Sequence, residues 1–319
     1  FLYSAFSHFG SGETMAFFEG LGVPLKTERG NRVFPVSDCA FDVSGALKRR
    51  LEKLGVRWVH DRAVSVLTAD GAVQAVAGEK GEYPCRAAVL ATGGVSYPGT
   101  GSTGDGYRIA GELGHTIVAP HGSLVPLVSE DTCCGIMQGL ALKNVQLTAV
   151  NEKKKTVFSE FGEMLFTHFG VSGPLVLSAS AHLRDWDKHT YSLSIDLKPA
   201  LSEEKLEERL LRELREQSNR NMENVLLSLV PTSMVPVLCT RLHIDPELKA
   251  NSFKKEQRRA LLQELKHFTL SVSGPRPVAE AIVTSGGVKV GEVNPGTMES
   301  KLITGLYFAG EILDVDAYT

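Results

Sequence analysis

The stretch RAAVLATGG, residues 86–94, decides the fold class. It is a continuous apolar run closed by a glycine turn. That is the pattern of a parallel strand covered on both faces, delivering its carboxyl end to a ligand crevice. Glycine has no Cβ, so a ligand can lie against the backbone there. Taken alone, the pattern also fits a plain strand–helix turn, and both readings stay open. Upstream, residues 63–67 and 72–76 read as strands around Asp70-Gly71, a strong hairpin turn. Residues 56–59 read as a further strand, and 104–113 as a helix stopped by Gly114.

The second decisive stretch is GLYFAGEILDVD, residues 305–316. An apolar strand again ends in glycine, and Glu311, Asp314 and Asp316 follow. Carboxylates just beyond a strand end can accept hydrogen bonds from the sugar hydroxyls of a nucleotide. Acidic residues favouring a helix dipole are the competing explanation, and residue types do not separate the two.

Around these stretches the periodicity changes. Residues 5–20 read as one amphipathic helix. Residues 23–28 and 32–34 read as strands about the turn Arg29-Gly30-Asn31, and Ser37 or Asp38 caps a helix running to Leu54. Residues 116–199 lose the strand–helix alternation and read as β-rich, with alternating segments at 144–150, 155–158 and 191–197. Leu206, Leu210 and Leu214 then recur at helical spacing, and an all-α stretch follows to about residue 267, with Ser233 and Ser252 as caps.

The 319 residues carry 34 Lys and Arg against 37 Asp and Glu, so bulk charge does not mark a polyanion binder. A basic cluster, Lys254, Lys255, Arg258, Arg259 and Lys266, reads either as an RNA contact or as a solvated helix face. Near-equal acidic and basic counts around it favour the solvated face. Five cysteines, none spaced C-x-x-C, argue against zinc or a disulfide framework and fit a reducing cytoplasm. Adjacent Cys133 and Cys134 invite a redox reading, but a buried cysteine is usually a small apolar residue. The most apolar stretch, 225–239, is short and interrupted by Pro231 and Pro236, so no membrane span is expected.

Longer strings narrow the reading. FLYSAFSHF (1–9), GNRVFP (30–35), ATGGVSYPGTGSTGDG (91–106), GEMLFTHFGVSGP (162–174) and TMESKLITGLYFAGEILDVD (297–316) resemble the BaiN-like flavoprotein family along the whole chain. That family includes aminoacetone oxidases, bile-acid-pathway reductases and an rRNA dihydrouridine synthase. The resemblance implies FAD as cofactor and NAD(P)H as reductant. It further implies hydride transfer through the flavin N5 to a small-molecule substrate such as an activated C=C or an amine. Flavin-dependent reduction of uridine in rRNA is the alternative. The family begins with a strand–GGGxAG–helix unit ahead of the position of Phe1 and continues beyond that of Thr319. The chain is therefore expected to be a fragment lacking the first dinucleotide fingerprint. The run GSTGDG at 101–106 has the wrong order for that fingerprint and reads as a loop and helix start.

The expected architecture is α/β plus an insert. A discontinuous Rossmann-like FAD-binding domain covers 1–118 and 292–319. A β-rich insert covers 119–199 and 268–291, and a helical subdomain 200–267. By resemblance the cofactor-binding candidates are Val64, Thr92, Gly93, Gly94, Gly310, Glu311 and Asp314. Val64 would meet the adenine through its backbone, and the glutamate at 311 replaces an expected aspartate. His168 is a candidate proton donor, against a structural histidine tying down a turn. Arg32 is a candidate anion binder, against an arginine anchoring a turn. No metal site is expected.

Overall fold

The computed structural model describes residues 1–28 and 31–316. Arg29 and Gly30 of the expected turn, and 317–319 of the expected cofactor domain, lie outside the described residues. The chain divides into two compact units, one built from 1–120 with 285–316 and one from 121–284. It passes between them twice, within the strands Ile117–Ser123 and Val283–Val288.

In the first unit, strand Ala88–Leu90 pairs in parallel with Leu306–Phe308, in the register Ala88↔Leu306 and Leu90↔Phe308. Two stretches far apart in sequence thus become neighbours. Ala88 and Leu90 are buried, but Val89 between them is 60% exposed. This corrects the expectation of a strand covered on both faces. Among the described residues the sheet has two strands, and only the face carrying Ala88 and Leu90 is covered. Beside it lies the antiparallel meander Ala63–Ala69, Ala72–Gly78 and Glu82–Pro84. Its first turn is Asp70-Gly71 with φ of 49° and 74°, the left-handed pair that matches strand twist and that glycine tolerates best. Residues 56–59 form no strand: Val56, Trp58 and Val59 are exposed and take no place in any ladder. The helix Asp105–Glu112 buries Ile109 and Ala110 against the same core as Leu90, Leu306 and Phe308.

The expected single helix at 5–20 is two, Tyr3–His8 and Ser11–Gly20. The break falls at Gly10, whose N–H is capped by Glu13 at 3.0 Å, starting a new helix. The next helix, Ala40–Lys53, starts from Cys39 rather than from Ser37 or Asp38: Ser37 Oγ donates to Asp42 at 2.6 Å and accepts the Cys39 N–H at 3.3 Å, and Asp38 pairs with Lys26.

The second unit holds a seven-stranded antiparallel sheet. In spatial order its strands are Phe268–Val272, Tyr191–Asp196, Ala141–Asn151, Thr156–Thr167, Gly170–Ser172, Leu127–Val128 and Gly274–Pro275. Tyr191–Asp196 alternates buried and half-buried positions, and Leu193 sits opposite both Ala149 and Leu270. The helices Glu203–Glu216, Met222–Leu227, Val235–Leu242 and Lys255–Lys266 pack their apolar faces into the same core as the sheet. Ser202 caps the first through the Lys205 N–H. Ser233 and Ser252 are not caps; Met234 and Lys254 hold those positions, and Gln257 Oε1 accepts the Lys254 N–H at 3.0 Å. No helix of the described residues is long and apolar enough to cross a membrane.

Candidate functional site at the parallel strand ends

Because the two parallel strands run side by side, their carboxyl ends emerge together. The backbone continues as Thr92-Gly93-Gly94 from one and Gly310-Glu311-Ile312 from the other, with the Ala309 N–H donating to Leu90 C=O at 3.1 Å. A bond from Asp314 N–H to Val288 C=O at 2.9 Å anchors the second segment. Six of the seven cofactor candidates, Thr92, Gly93, Gly94, Gly310, Glu311 and Asp314, therefore lie along the two segments that leave this sheet. In open α/β sheets, ligands bind beyond strand ends placed in this way.

Packing at this point is very close. A Cβ on Gly106, in the first turn of the helix Asp105–Glu112, would collide with Thr92 Oγ1 and lie 2.7 Å from Ile312 Cδ1. A Cβ on Gly287 would lie 2.5 Å from Ile312 O and 3.1 Å from Tyr107 Cε1, and its φ of 128° also favours glycine. By contrast, a Cβ on Gly310 would meet nothing within 4 Å. The turn at 310 is thus packed on one side and open on the other, and Thr92 is exposed.

Two hydroxyls that the sequence reading did not single out complete the arrangement. Ser96 Oγ donates to Glu311 Oε1 at 3.2 Å, and Tyr107 OH donates to the Glu311 carbonyl at 3.3 Å. The Tyr107 phenol is pushed up to about 12 by burial and by the negative charges of Glu311 and Asp314. It stays a proton-bearing donor at any physiological pH. Ser96 lies inside the string ATGGVSYPGTGSTGDG, and Tyr107 directly after it in the expected helix 104–113, where neither hydroxyl had an evident partner. Asp105, at the start of the helix, is held below the usual carboxylate range, first by Arg62 and then by Thr103. Arg62 meets it at 2.9 to 3.0 Å.

Val64 is differently placed. It falls at a bulge in the ladder between Ala63 and Ser65, and its carbonyl accepts from Arg108 at 2.9 Å. That acceptor is engaged within the fold. Arg32 is exposed, and its carbonyl closes the hairpin Leu25–Thr27/Val33–Pro35 by accepting the Glu28 N–H at 2.7 Å. His168 is exposed in the second unit, at the two-residue turn between Thr167 and Gly170, edge-on to Phe169.

A buried polar cluster, also missed in the sequence, lies elsewhere in the first unit. His115 Nε2 is 2.9 Å from Ser300 Oγ, which itself accepts the N–H groups of Leu302 and Ile303. With both its lone pairs occupied, the hydroxyl donates to Nε2, which assigns the ring proton to Nδ1. Nδ1 lies 3.3 Å from Glu292 Oε2 but is not aligned for a hydrogen bond. Burial lowers the His115 pKa, with Glu292 opposing.

Cys133 and Cys134 are buried in the core of the second unit. Both are free thiols, and the pKa of Cys134 is pushed up by its side-chain hydrogen bond with Cys133 and by burial. In the basic cluster, Arg258 pairs with Glu207 at 2.7 Å and Lys266 with Asp196 at 2.5 Å, so part of it serves the fold. No cluster of metal-ligating side chains occurs among the described residues.

The model of the HI0933-like protein Rossmann domain matches residues 1–319. The chain belongs to this family. HI0933-like proteins are the BaiN-like flavoproteins, and this one is a flavin-dependent oxidoreductase by class. It is 28% identical over 320 aligned residues to a 3-dehydro-bile acid delta(4,6)-reductase of Clostridium scindens, covering 99% of this chain and 77% of the relative. It is 33% identical over 239 residues to a ribosomal RNA dihydrouridine synthase of Haemophilus influenzae, covering 74% of this chain and 56% of that one. A protein of the same name from Escherichia coli is 32% identical over 234 residues, covering 73% and 56%. The chain thus spans little more than half the length of these last two relatives.

Proposed function

We propose that the paired strand ends hold FAD, and that the protein uses NAD(P)H to reduce a small molecule bearing an activated C=C bond, or acts on an amine. The observation that carries this reading is the convergence of Thr92-Gly93-Gly94 and Gly310-Glu311 beyond adjacent parallel strands, with open space beside Gly310. Bound there, FAD supplies hydride chemistry, and the chain supplies binding, orientation and shielding. The glycine segments allow close backbone approach, and Glu311 and Asp314 accept hydrogen bonds from polyol or sugar hydroxyls. Val64 flanks the adenosine end through its N–H side, since its carbonyl already serves Arg108. His168 is the proposed proton donor and Arg32 the proposed anion contact.

On this reading the FAD-binding domain is discontinuous, 1–118 with 292–319, and carries a β-rich insert with a helical subdomain at 200–267. The protein works in the cytoplasm. Reduction of uridine in ribosomal RNA is a second reading, supported by the names of two relatives.

The test is the absorbance spectrum of the protein purified from its complete reading frame. Two flavin bands that bleach on addition of NAD(P)H are the expected result. A colourless protein that takes up no added FAD sinks the proposal. Salt-dependent binding of ribosomal RNA, with a steep fall between low and high salt, would favour the second reading.

A further inference from the structure

We propose that Ser96 and Tyr107 are positioning residues that hold Glu311 from both ends, so that its carboxylate meets the cofactor in one preset orientation. This inference rests on the flavin reading of the strand-end site.

The argument begins with the turn itself. Residues 310–312 form a single 3-10 turn with open space beside Gly310. A turn this short, open on one side, does not by itself fix the rotamer of a long side chain. A free glutamate has three rotatable bonds, and ordering such a side chain on binding costs about 1–2 kcal/mol. Here two separate contacts supply the order beforehand. Ser96 Oγ binds the carboxylate at 3.2 Å, and Tyr107 OH binds the carbonyl of the same residue at 3.3 Å. Both donors sit on the opposite segment, more than 200 positions away in sequence.

Neither donor is loosely placed. Ser96 and Tyr107 are buried. The Tyr107 ring lies against Gly287, where a Cβ would come within 3.1 Å of Cε1. Its neighbour Gly106 is pressed between Thr92 and Ile312. The ring is thus held against Gly287, on a helix start whose close packing needs Gly106, and its hydroxyl meets the Glu311 carbonyl. Preordering of this kind improves affinity by removing an ordering cost, without any new contact to the ligand.

The experiment uses the protein from its complete reading frame. Its variants are Ser96→Ala, Ser96→Thr, Tyr107→Phe and Glu311→Ala, together with Ser96→Ala and Tyr107→Phe each combined with Glu311→Ala. FAD affinity is read by fluorescence titration, and amide hydrogen exchange of 310–313 is read on the cofactor-free protein. Ser96→Ala and Tyr107→Phe should each weaken FAD roughly tenfold, about the loss of one hydrogen bond to a charged or preordered group. Ser96→Thr should restore most of the affinity.

The two donors should differ in one respect. Ser96 acts through the carboxylate, so its effect should vanish once Glu311 is alanine. Tyr107 acts through the backbone, so its effect should persist in that variant. Exchange at 310–313 should quicken in Tyr107→Phe even without cofactor.

If the wild type binds FAD and the variants bind it equally well, the positioning role is overturned and the flavin reading stands. If Ser96→Ala weakens binding equally with and without Glu311, the serine acts by some other route and the inference fails. A wild type with no affinity for FAD overturns the flavin reading, and the positioning role with it.

Discussion

The two units bury their strands in different ways. In the second unit, Tyr191–Asp196 has a ladder on both edges, and its inward residues Tyr191, Leu193 and Ile195 join a core shared with four helices. In the first, Ala88–Leu90 has one ladder, its inward residues are Ala88 and Leu90, and Val89 stands 60% exposed. Both units bury apolar side chains, the second around its wide sheet and the first around its strand pair. The first adds close backbone approach at Gly106 and Gly287, and hydroxyl bonds to Glu311. Stability should concentrate in the second arrangement of side chains, and ligand chemistry in the first, where backbone stays accessible.

The sharpest test of that contrast is a pair of truncations. Phe268 is fully buried, edge-on to Phe166 and under the Arg241 guanidinium at 4.3 Å. Phe268→Ala should cost about 3–5 kcal/mol of unfolding free energy. Val89→Ala, at an exposed strand position, should cost under about 0.5 kcal/mol. Denaturant titration measures both, and similar losses would break the comparison.

A second test strikes the close approach itself. Gly106→Ala adds one methyl group where Thr92 and Ile312 already fill the space. The expected cost is about 1–3 kcal/mol, the usual range for overpacking. On the flavin reading, cofactor affinity falls as well. A variant as stable as wild type would mean that the strand end and the helix can move apart freely.

The smallest effect expected is a pH dependence in the first unit. The folded-state pKa of His115 lies below its ordinary value of 6.5, chiefly through burial. The unfolded chain thus binds the proton more readily, and stability should fall as pH drops through about 6.5. Melting curves at pH 7.5 and 5.5 should show the loss, and His115→Leu should flatten it. An unchanged slope in that variant would assign the acid sensitivity to other groups.

Much of the second unit was legible in the sequence. The alternation at 191–196 and the leucines at 206, 210 and 214 report burial directly, because side-chain periodicity follows the element. The limits of legibility came where local signals compete. Residues 5–20 read as one helix because their phenylalanines recur at helical spacing, yet the Gly10–Glu13 cap restarts the chain. Residues 56–59 have strand composition but no neighbouring ladder. Serines near helix starts were read as caps at 233 and 252, where the neighbouring residue holds the position.

For the site, sequence alone determined the two glycine-ended strands and the acidic residues beyond the second, because glycine and carboxylate chemistry is local. Their meeting was decided by tertiary structure, since a parallel pairing across more than 200 residues leaves no local trace. The same holds for Ser96 and Tyr107. A hydroxyl in a loop, or on a helix face, has no assigned partner until the fold brings Glu311 within reach. It holds also for His115, whose burial beside Ser300 and Glu292 depends on two stretches nearly 180 residues apart.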